Sequence, residues 1–213
     1  MIRNFIKTMV FLLIIFATGC SSTSSVPSYK ISDLFKSYCY FESGSSWTYT
    51  NDSTPSTDKV TISEINEYTR FEPSSDDYRY QAIEINLDDN PLNMTLFELT
   101  AGTTQVETGK MNSLFRMYLE DGSYYLVFSP QYTLGEEISL GETIGRYTNV
   151  EILNTMTIYD NTYESVYHTR VIMDATGSEY HYYIAKNYGL VRFTVSTSQE
   201  QYSYSLKSSS LNQ

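Results

Sequence analysis

The chain has 213 residues, of which 14 are Lys or Arg and 25 are Asp or Glu, so its formal charge is −11. This acidic balance argues against nucleic-acid binding, which requires basic patches that displace counterions from phosphates. It also argues against adhesion to anionic lipid through protein charge, and the length suits one domain with a sizeable core.

The first 19 residues have the three zones of an export signal. Arg3 and Lys7 carry positive charge, and an unbroken apolar run follows from Met9 to Phe16. This run is far shorter than the roughly 20 residues that cross a bilayer as a helix. Residues 1–19 are therefore predicted to be a cleaved signal that is not part of the fold.

The end of this signal resembles the bacterial lipobox, because Ala17, Thr18 and Gly19 precede Cys20. The resemblance implies that the Cys20 thiol is diacylated, that the chain is cleaved before it, and that the new amino terminus is acylated. Each buried methylene contributes about 0.8 kcal/mol, so several acyl chains make a durable membrane anchor. The alternative is an ordinary signal peptide with a chance cysteine. Cleavage removes two basic residues and no acidic one, which leaves a formal charge of −13.

A polar segment follows the cysteine. Ser21–Ser28 consists mostly of Ser and Thr, so residues 20–30 are predicted to be the lipidated cysteine and a flexible tether. Residues 31–213 are predicted to form a single antiparallel β domain. No acidic run of the kind that resembles a surface-display signal in Bacteroidota lipoproteins follows Cys20. Its absence favours an outer-membrane anchor that faces the periplasm.

Alternation of apolar and polar residues dominates the chain from Tyr38 onward. It is clear in Ile83–Leu87, Val191–Ser196 and Tyr202–Lys207, and it is typical of antiparallel strands with one buried face. Asp121-Gly122, a favoured type I′ turn, separates two further strands at Leu114–Glu120 and Tyr124–Ser129. Turn residues also separate predicted strands at Tyr163–Asp174, Glu179–Ala185 and Leu190–Thr197.

The pattern predicts roughly ten to twelve strands in sequential hairpins. Ile31–Ser37 is the one segment that could form a turn or two of helix, with Ser32 as its cap. Open twisted sheets rarely exceed about ten strands without curving or splitting. We therefore expect an all-β fold, a strongly curved antiparallel meander that forms a half-barrel or partly closed barrel; a small β-sandwich is the alternative.

Tyrosine and cysteine usage is unusual. The 21 tyrosines are spread over every predicted strand, which favours a structural role; the alternative is an aromatic platform for a ligand such as a sugar or lipid. An acylated Cys20 cannot form a disulfide, so Cys39 is predicted to be a free thiol, buried as a small apolar residue between Tyr38 and Tyr40.

Three segments resemble a broad group of bacterial periplasmic and lipoprotein β domains. They are Tyr40–Tyr49, with its Trp-x-Tyr strand; Asn161–Val166, where Asn161 stands in place of a usual glycine; and Tyr182–Val191, where Asn187 replaces the first glycine of a hairpin. The resemblance implies a curved antiparallel sheet, comparable in outline to the half-barrels of the lipoprotein carriers LolA and LolB. It implies no catalytic residue, because the group shares no catalytic motif.

Residues that could perform chemistry are few. His168 and His181 lie on predicted neighbouring strands, and a pair that is solvent-facing or satisfied is favoured over a metal site, since no third ligand stands out. Acidic pairs occur in predicted turns, at Asp76-Asp77, Asp88-Asp89, Glu120-Asp121 and Glu136-Glu137. Asp88-Asp89-Asn90 could offer oxygens to calcium but lacks the spacing of a dedicated loop. Asp52-Ser53-Thr54 resembles the short acceptor motif for O-glycosylation in Bacteroidota.

These observations predict a membrane-anchored cell-envelope lipoprotein whose β domain binds a partner or ligand and is not an enzyme. We expect no cofactor, no metal and no nucleic-acid partner, and we expect contact with the membrane through acyl chains on Cys20. The first alternative is a lipid or lipoprotein carrier that uses a concave apolar groove. The second is an enzyme, which would need a cleft that gathers His168, His181 and two or more acids.

Overall fold

The structure is a computed structural model that describes residues 26–54, 56–73, 78–104, 111–140 and 145–212. The predicted signal and Cys20 lie outside these residues. Within the described ranges, no helix has the length and apolar character needed to span a membrane.

Thirteen strands and one short helix are found in the described residues. They are β1 (Ser28–Tyr29), α1 (Asp33–Cys39), β2 (Ser46–Asn51), β3 (Thr57–Glu72), β4 (Tyr78–Leu87), β5 (Met94–Thr104), β6 (Met111–Leu119), β7 (Tyr124–Phe128), β8 (Glu137–Ser139), β9 (Arg146–Ile158), β10 (Asn161–Ile172), β11 (Glu179–Ala185), β12 (Gly189–Ser196) and β13 (Gln201–Ser210).

All strands belong to one sheet, in the order β7-β6-β5-β4-β3-β2-β13-β12-β11-β10-β9-β8, with β1 paired beside this path to β4. The sheet therefore consists of two meanders, β2 to β7 and β8 to β13, which are joined where β2 pairs with β13. In this antiparallel pair Tyr49 lies opposite Leu206. The predicted curved antiparallel sheet is confirmed, and the alternative of two separate sheets is not what forms.

The sheet curves until its β7 edge reaches β9 and β10 in the other half. The strand order contains no backbone pairing between β7 and β9 or β10, so the sheet is not closed. The Thr169 hydroxyl donates to the Val127 carbonyl over 2.7 Å, and the Ser129 N–H donates to the Tyr147 hydroxyl over 3.0 Å. The Asn149 side-chain amide donates to the Ser129 carbonyl over 2.8 Å. Side chains of β9 and β10 thus satisfy backbone groups at the β7 edge, which would otherwise be open to another strand.

Apolar side chains on the concave face fill the space between the two halves. Ile83, Ile85 and Leu99 are fully buried, whereas Glu84, between the two isoleucines, is only half-buried on the opposite face. This is the outcome that the alternation in β4 predicts, because successive side chains of a strand point to opposite faces. The predicted turn at Asp121-Gly122 is also confirmed, with Gly122 at φ +80°.

Helix α1 covers one end of this interior. Its cap is the predicted one: the Ser32 hydroxyl accepts a hydrogen bond from the Phe35 N–H over 3.2 Å. Phe35 is fully buried and stacks on Phe128, with ring centroids 5.6 Å apart. The Ser37 carbonyl accepts from the Asn187 N–H in the β11–β12 turn, which fixes the helix at that end of the sheet.

Cys39, the last residue of α1, is a buried free thiol, as the sequence predicts. Its Sγ–H donates to the Phe35 carbonyl over 3.1 Å. Burial raises the pKa of this thiol well above its usual value, so it stays protonated and unreactive. Cys39 therefore contributes to packing.

Strand β1 lies within the range 20–30 predicted to be a tether. It pairs in parallel with Arg79 and Tyr80 of β4, whereas β5 pairs with β4 only between Ala82 and Asn86. The first described residues thus occupy the part of β4 that β5 leaves free. Tyr29 packs so closely over Gly102 that a Cβ there would lie 2.7 Å from the tyrosine Cβ.

Candidate functional site

A cavity of about 470 Å³ opens at the end of the interior opposite α1. The position follows from the strand directions, because α1 covers the β11–β12 turn whereas the cavity is bordered by the β12–β13 loop. Its wall combines five tyrosines with aliphatic side chains from both meanders of the sheet. Several of its polar residues are Asn or Gln. The apolar and aromatic lining residues include Leu92, Met94, Met117, Tyr125, Tyr180, Tyr182, Phe193, Val195, Tyr202 and Tyr204. The polar ones include Asn51, Asn93, Glu200 and Gln201. The volume lies within the range of about 300–1,000 Å³ that small-molecule sites occupy.

The tyrosines of this wall stack on one another. Tyr125 of β7 and Tyr180 of β11 have ring centroids 4.8 Å apart, and Phe193 and Tyr204 are stacked at 4.9 Å. These pairs come from different strands and, for Tyr125 and Tyr180, from different halves of the sheet. Each of these contacts uses one face of each ring, and the hydroxyl groups of the tyrosines remain for other contacts.

Tyrosine hydroxyl groups converge beside the cavity. The hydroxyls of Tyr125 and Tyr180 are 3.3 Å apart, which is long for an O–H···O hydrogen bond. Burial raises the pKa of Tyr180 and of Tyr202, and neighbouring tyrosines add to both effects. These phenols therefore remain neutral donors and acceptors throughout the physiological pH range.

Tyr182 is the most unusual member of the wall. Its side chain is fully buried, and its hydroxyl has no hydrogen-bond partner in the described residues. Burial raises its pKa well above the usual value, and the charges of Tyr125, Tyr180 and Tyr202 raise it further. An unpaired buried hydroxyl costs about 1–3 kcal/mol, which a bound partner would recover.

The predicted histidines meet on the other face of the sheet. His168 Nε2 lies 2.7 Å from His181 Nδ1, while His168 Nδ1 is 3.2 Å from Glu151 Oε1 and His181 Nε2 is 3.1 Å from Glu179 Oε1. We call these four residues the histidine row. The Tyr183 ring stacks on His168 at 4.4 Å.

The histidine row gathers two histidines and two acids, which is the set that the enzyme alternative requires. It lies on the solvent side of β9 to β11, however, and no cavity described above is lined by it. In the described part of the chain, no three His, Cys, Asp or Glu side chains are placed to hold a metal ion together. The two rings face each other and not a shared centre, which suits proton sharing better than chelation.

The acidic pairs have local roles where the structure describes them. Asp121 accepts from the Ser123 N–H and hydroxyl, and these hydrogen bonds lower its pKa. Glu137 pairs with Arg146 over 3.1 Å. The Asn90 amide donates to the carbonyls of Asp88 and Met94, so this segment holds the β4–β5 turn. Asp76-Asp77 lies outside the described residues.

The Asp52-Ser53-Thr54 segment forms the β2–β3 turn at the cavity rim. Asp52 accepts hydrogen bonds from the hydroxyls of Ser203 and Ser205, the latter over 2.9 Å, and contacts Arg192 at 3.4 Å. Ser53 is exposed. The carboxylate thus holds this turn against β13, and the resemblance to a glycosylation motif stays a prediction.

A buried ion cluster on the outer face of β3 to β6 has no counterpart among the predicted sites. Glu98 is 3% exposed and contacts Arg70 and Arg116, each over 2.8 Å, and the Tyr118 hydroxyl over 3.1 Å. Burial and the Glu98 charge raise the pKa of Tyr118 to about 12. Alternation in β5 places the Glu98 side chain on the face of the sheet away from Leu99. The burial of Glu98 depends on side chains of neighbouring strands, which no local pattern identifies.

Comparisons with known proteins yield two distant structural similarities. No family model and no curated protein matches the chain. It is similar to a proposed lipoprotein of Parabacteroides distasonis ATCC 8503, at 14% identity and a TM-score of 0.36, over 81% of this chain and 99% of that one. It is also similar to a proposed exported protein with a YmcC-like fold from Bacteroides fragilis NCTC 9343, at 10% identity and a TM-score of 0.33, over 81% and 98%. Similarities at these levels carry no argument about function.

Proposed function

We propose that this protein is a lipid-anchored component of the bacterial cell envelope whose β domain binds a small ligand and catalyses no reaction. Acyl chains on Cys20 hold it at the outer membrane, on the periplasmic side. The ligand site is the cavity lined by tyrosines. The observation that carries the binding function is the unpaired, fully buried hydroxyl of Tyr182 in the wall of that cavity.

The architecture of the interior supports this function over a lipoprotein carrier. A carrier groove would need an open concave apolar face, but here that face is filled by Phe35, Trp47, Tyr147 and the other core side chains. Among the described residues, the larger space lies at the end of the interior that α1 leaves uncovered, and a smaller one of about 110 Å³ lies between β6–β7 and the residues Val171 and Met173. A bounded cavity of this kind suits a compact ligand and leaves little length for an extended chain.

The arrangement of titratable groups supports a non-enzymatic role. The histidine row is on the solvent side of the sheet, on the face away from the cavity. Glu200 is the single charged residue among those described as lining the cavity. Acid–base chemistry needs groups within hydrogen-bond reach of a bound substrate, and this arrangement separates them.

The binding function is tested by native mass spectrometry of the full chain purified from its own host. We expect a co-purifying small molecule whose mass is lost from a Tyr182→Phe, Tyr202→Phe double variant. A bare protein mass in several independent preparations, from cells grown on different media, would contradict the proposal.

The anchor is tested by labelling with palmitate. Cys20→Ala should abolish labelling and release the protein from membranes, whereas Cys39→Ala, which removes the buried thiol, should keep both. Labelling and membrane association that persist in Cys20→Ala would refute the lipid anchor.

A further inference from the structure

We infer that the cavity takes an uncharged carbohydrate of mono- or disaccharide size; this inference rests on the proposed binding function and specifies its ligand. A sugar offers a compact ring with apolar C–H faces and several hydroxyl groups that donate and accept. The cavity offers the complement of both: an aliphatic part formed by Leu92, Met94, Met117 and Val195, and tyrosine hydroxyls beside it.

The charges of the lining exclude anionic ligands. No Lys or Arg occurs among the lining residues that the structure describes, and the one charged group there is the Glu200 carboxylate. A phosphate or fatty-acid carboxylate would lose its hydration without gaining a partner of opposite charge, which is strongly unfavourable. The chain as a whole is also acidic, with a formal charge of −11.

The hydroxyl groups separate a sugar from an apolar ligand. An acyl chain in the cavity would leave the Tyr182 hydroxyl without a partner, as it is in the free protein. The Tyr182 oxygen is itself buried, so a sugar hydroxyl would pair with it after a neighbouring tyrosine side chain moves aside. The Tyr125–Tyr180 contact of 3.3 Å is weak enough to be displaced.

The stacking within the wall separates a sugar from a cationic ligand. An aromatic cage for a cation presents open ring faces within about 6 Å of the charge. Here Tyr125 faces Tyr180 and Phe193 faces Tyr204, so one face of each of these rings is occupied. Hydrogen bonds to the tyrosine hydroxyls are the polar contacts that this wall offers. The amides of Asn51, Asn93 and Gln201 extend it at the rim.

Isothermal titration calorimetry of the full chain in phosphatidylcholine vesicles tests this assignment. The probes are glucose, galactose, mannose, N-acetylglucosamine and their β-linked disaccharides, with octanoate as an acyl probe and choline as a cationic one. Titrations into empty vesicles supply the blanks. We expect saturable binding of at least one saccharide, unchanged between pH 5.5 and 8 because burial keeps the phenols of Tyr180, Tyr182 and Tyr202 neutral.

Two variants connect binding to the hydroxyl. Tyr182→Phe should weaken saccharide binding about five- to tenfold, the effect of one lost hydrogen bond. Tyr183→Phe alters the next residue of the same strand, whose ring lies on the opposite face against His168, and should leave binding unchanged. Equal affinity in Tyr182→Phe and the native chain would overturn the assignment.

The outcomes distinguish this inference from the proposed function. Saturable binding of octanoate or choline without any saccharide would overturn the carbohydrate assignment and leave a ligand-binding protein. Absence of heat with every probe, together with a bare mass for the protein from its host, would overturn both.

Discussion

His168 Nε2 lies 2.7 Å from His181 Nδ1, so a single proton must be shared between the two imidazole rings. The outer nitrogens of the pair face Glu151 and Glu179. A hydrogen bond at each of the three contacts needs three protons on the four ring nitrogens, which is one more than two neutral rings carry. A fourth proton would place two N–H groups against each other.

The pKa of His168 should shift in opposite directions when His181 and Glu151 are replaced. Burial lowers its pKa, the hydrogen bond that its Nδ1–H donates to Glu151 raises it, and the charges of His181 and Arg170 lower it. His181→Gln should therefore raise the pKa of His168, and Glu151→Gln should lower it further. NMR titration of the imidazole C–H signals measures both. Shifts of the same sign would show that the row is not formed.

The same group should make stability depend on pH. The pKa of His168 is lower in the folded chain than its usual value of 6.5, so the unfolded chain takes up the proton more readily. Its contribution is complete above about pH 6.5 and is lost as the pH falls through that value toward the folded pKa. Urea midpoints at pH 5 and pH 7.5 should differ less in His168→Gln than in the native chain. An unchanged difference would contradict this account.

Two fully buried tyrosines should respond differently to loss of the hydroxyl. Tyr147 accepts from the Ser129 N–H and donates to the Asn149 side chain, so Tyr147→Phe should cost about 1–3 kcal/mol of unfolding free energy. Among the described residues the Tyr182 hydroxyl has no hydrogen-bond partner to lose, so Tyr182→Phe should leave stability unchanged or raise it. Denaturant unfolding of both variants without ligand measures this. Equal destabilisation would show that Tyr182 is hydrogen-bonded in the free protein.

Thr169 should hold the β7 edge against the opposite half. Thr169→Val removes the hydroxyl that donates to Val127 and should cost about 1–2 kcal/mol, with faster amide exchange across Tyr124–Phe128. Thr50→Val is the matched control, since the Thr50 hydroxyl is buried and none of the residues that the structure describes forms a hydrogen bond with it. If exchange in β7 is the same in the two variants, side-chain bonding does not secure this edge.

The sequence predicts local structure well because alternation and capping are local. Phe193 and Val195 alternate with Thr194, and all three lie on the predicted faces. The cap at Ser32 and the turn at Asp121-Gly122 likewise depend on neighbours within a few residues.

The candidate site depends on contacts that no local pattern contains. Tyr125 and Tyr180 are separated by 55 positions, and their hydroxyls meet only because the sheet curves onto itself. The pattern identifies Tyr202 and Tyr204 as inward-facing, but it cannot say which inward tyrosines fill the core and which border a cavity. The unpaired hydroxyl of Tyr182 is a property of the packed interior alone.

The pairing of β2 with β13 joins residues that lie far apart in the chain. Asn212 donates its N–H to the Ser45 hydroxyl, 167 positions away, so the sheet is complete only when the last residues are present. Contacts of such separation form slowly, since a long loop must close first. A chain exported from its amino terminus cannot complete this sheet until its last strand has emerged. With the export proposed above, the chain would cross the membrane before it folds, and the β13 strand would finish the domain on the far side.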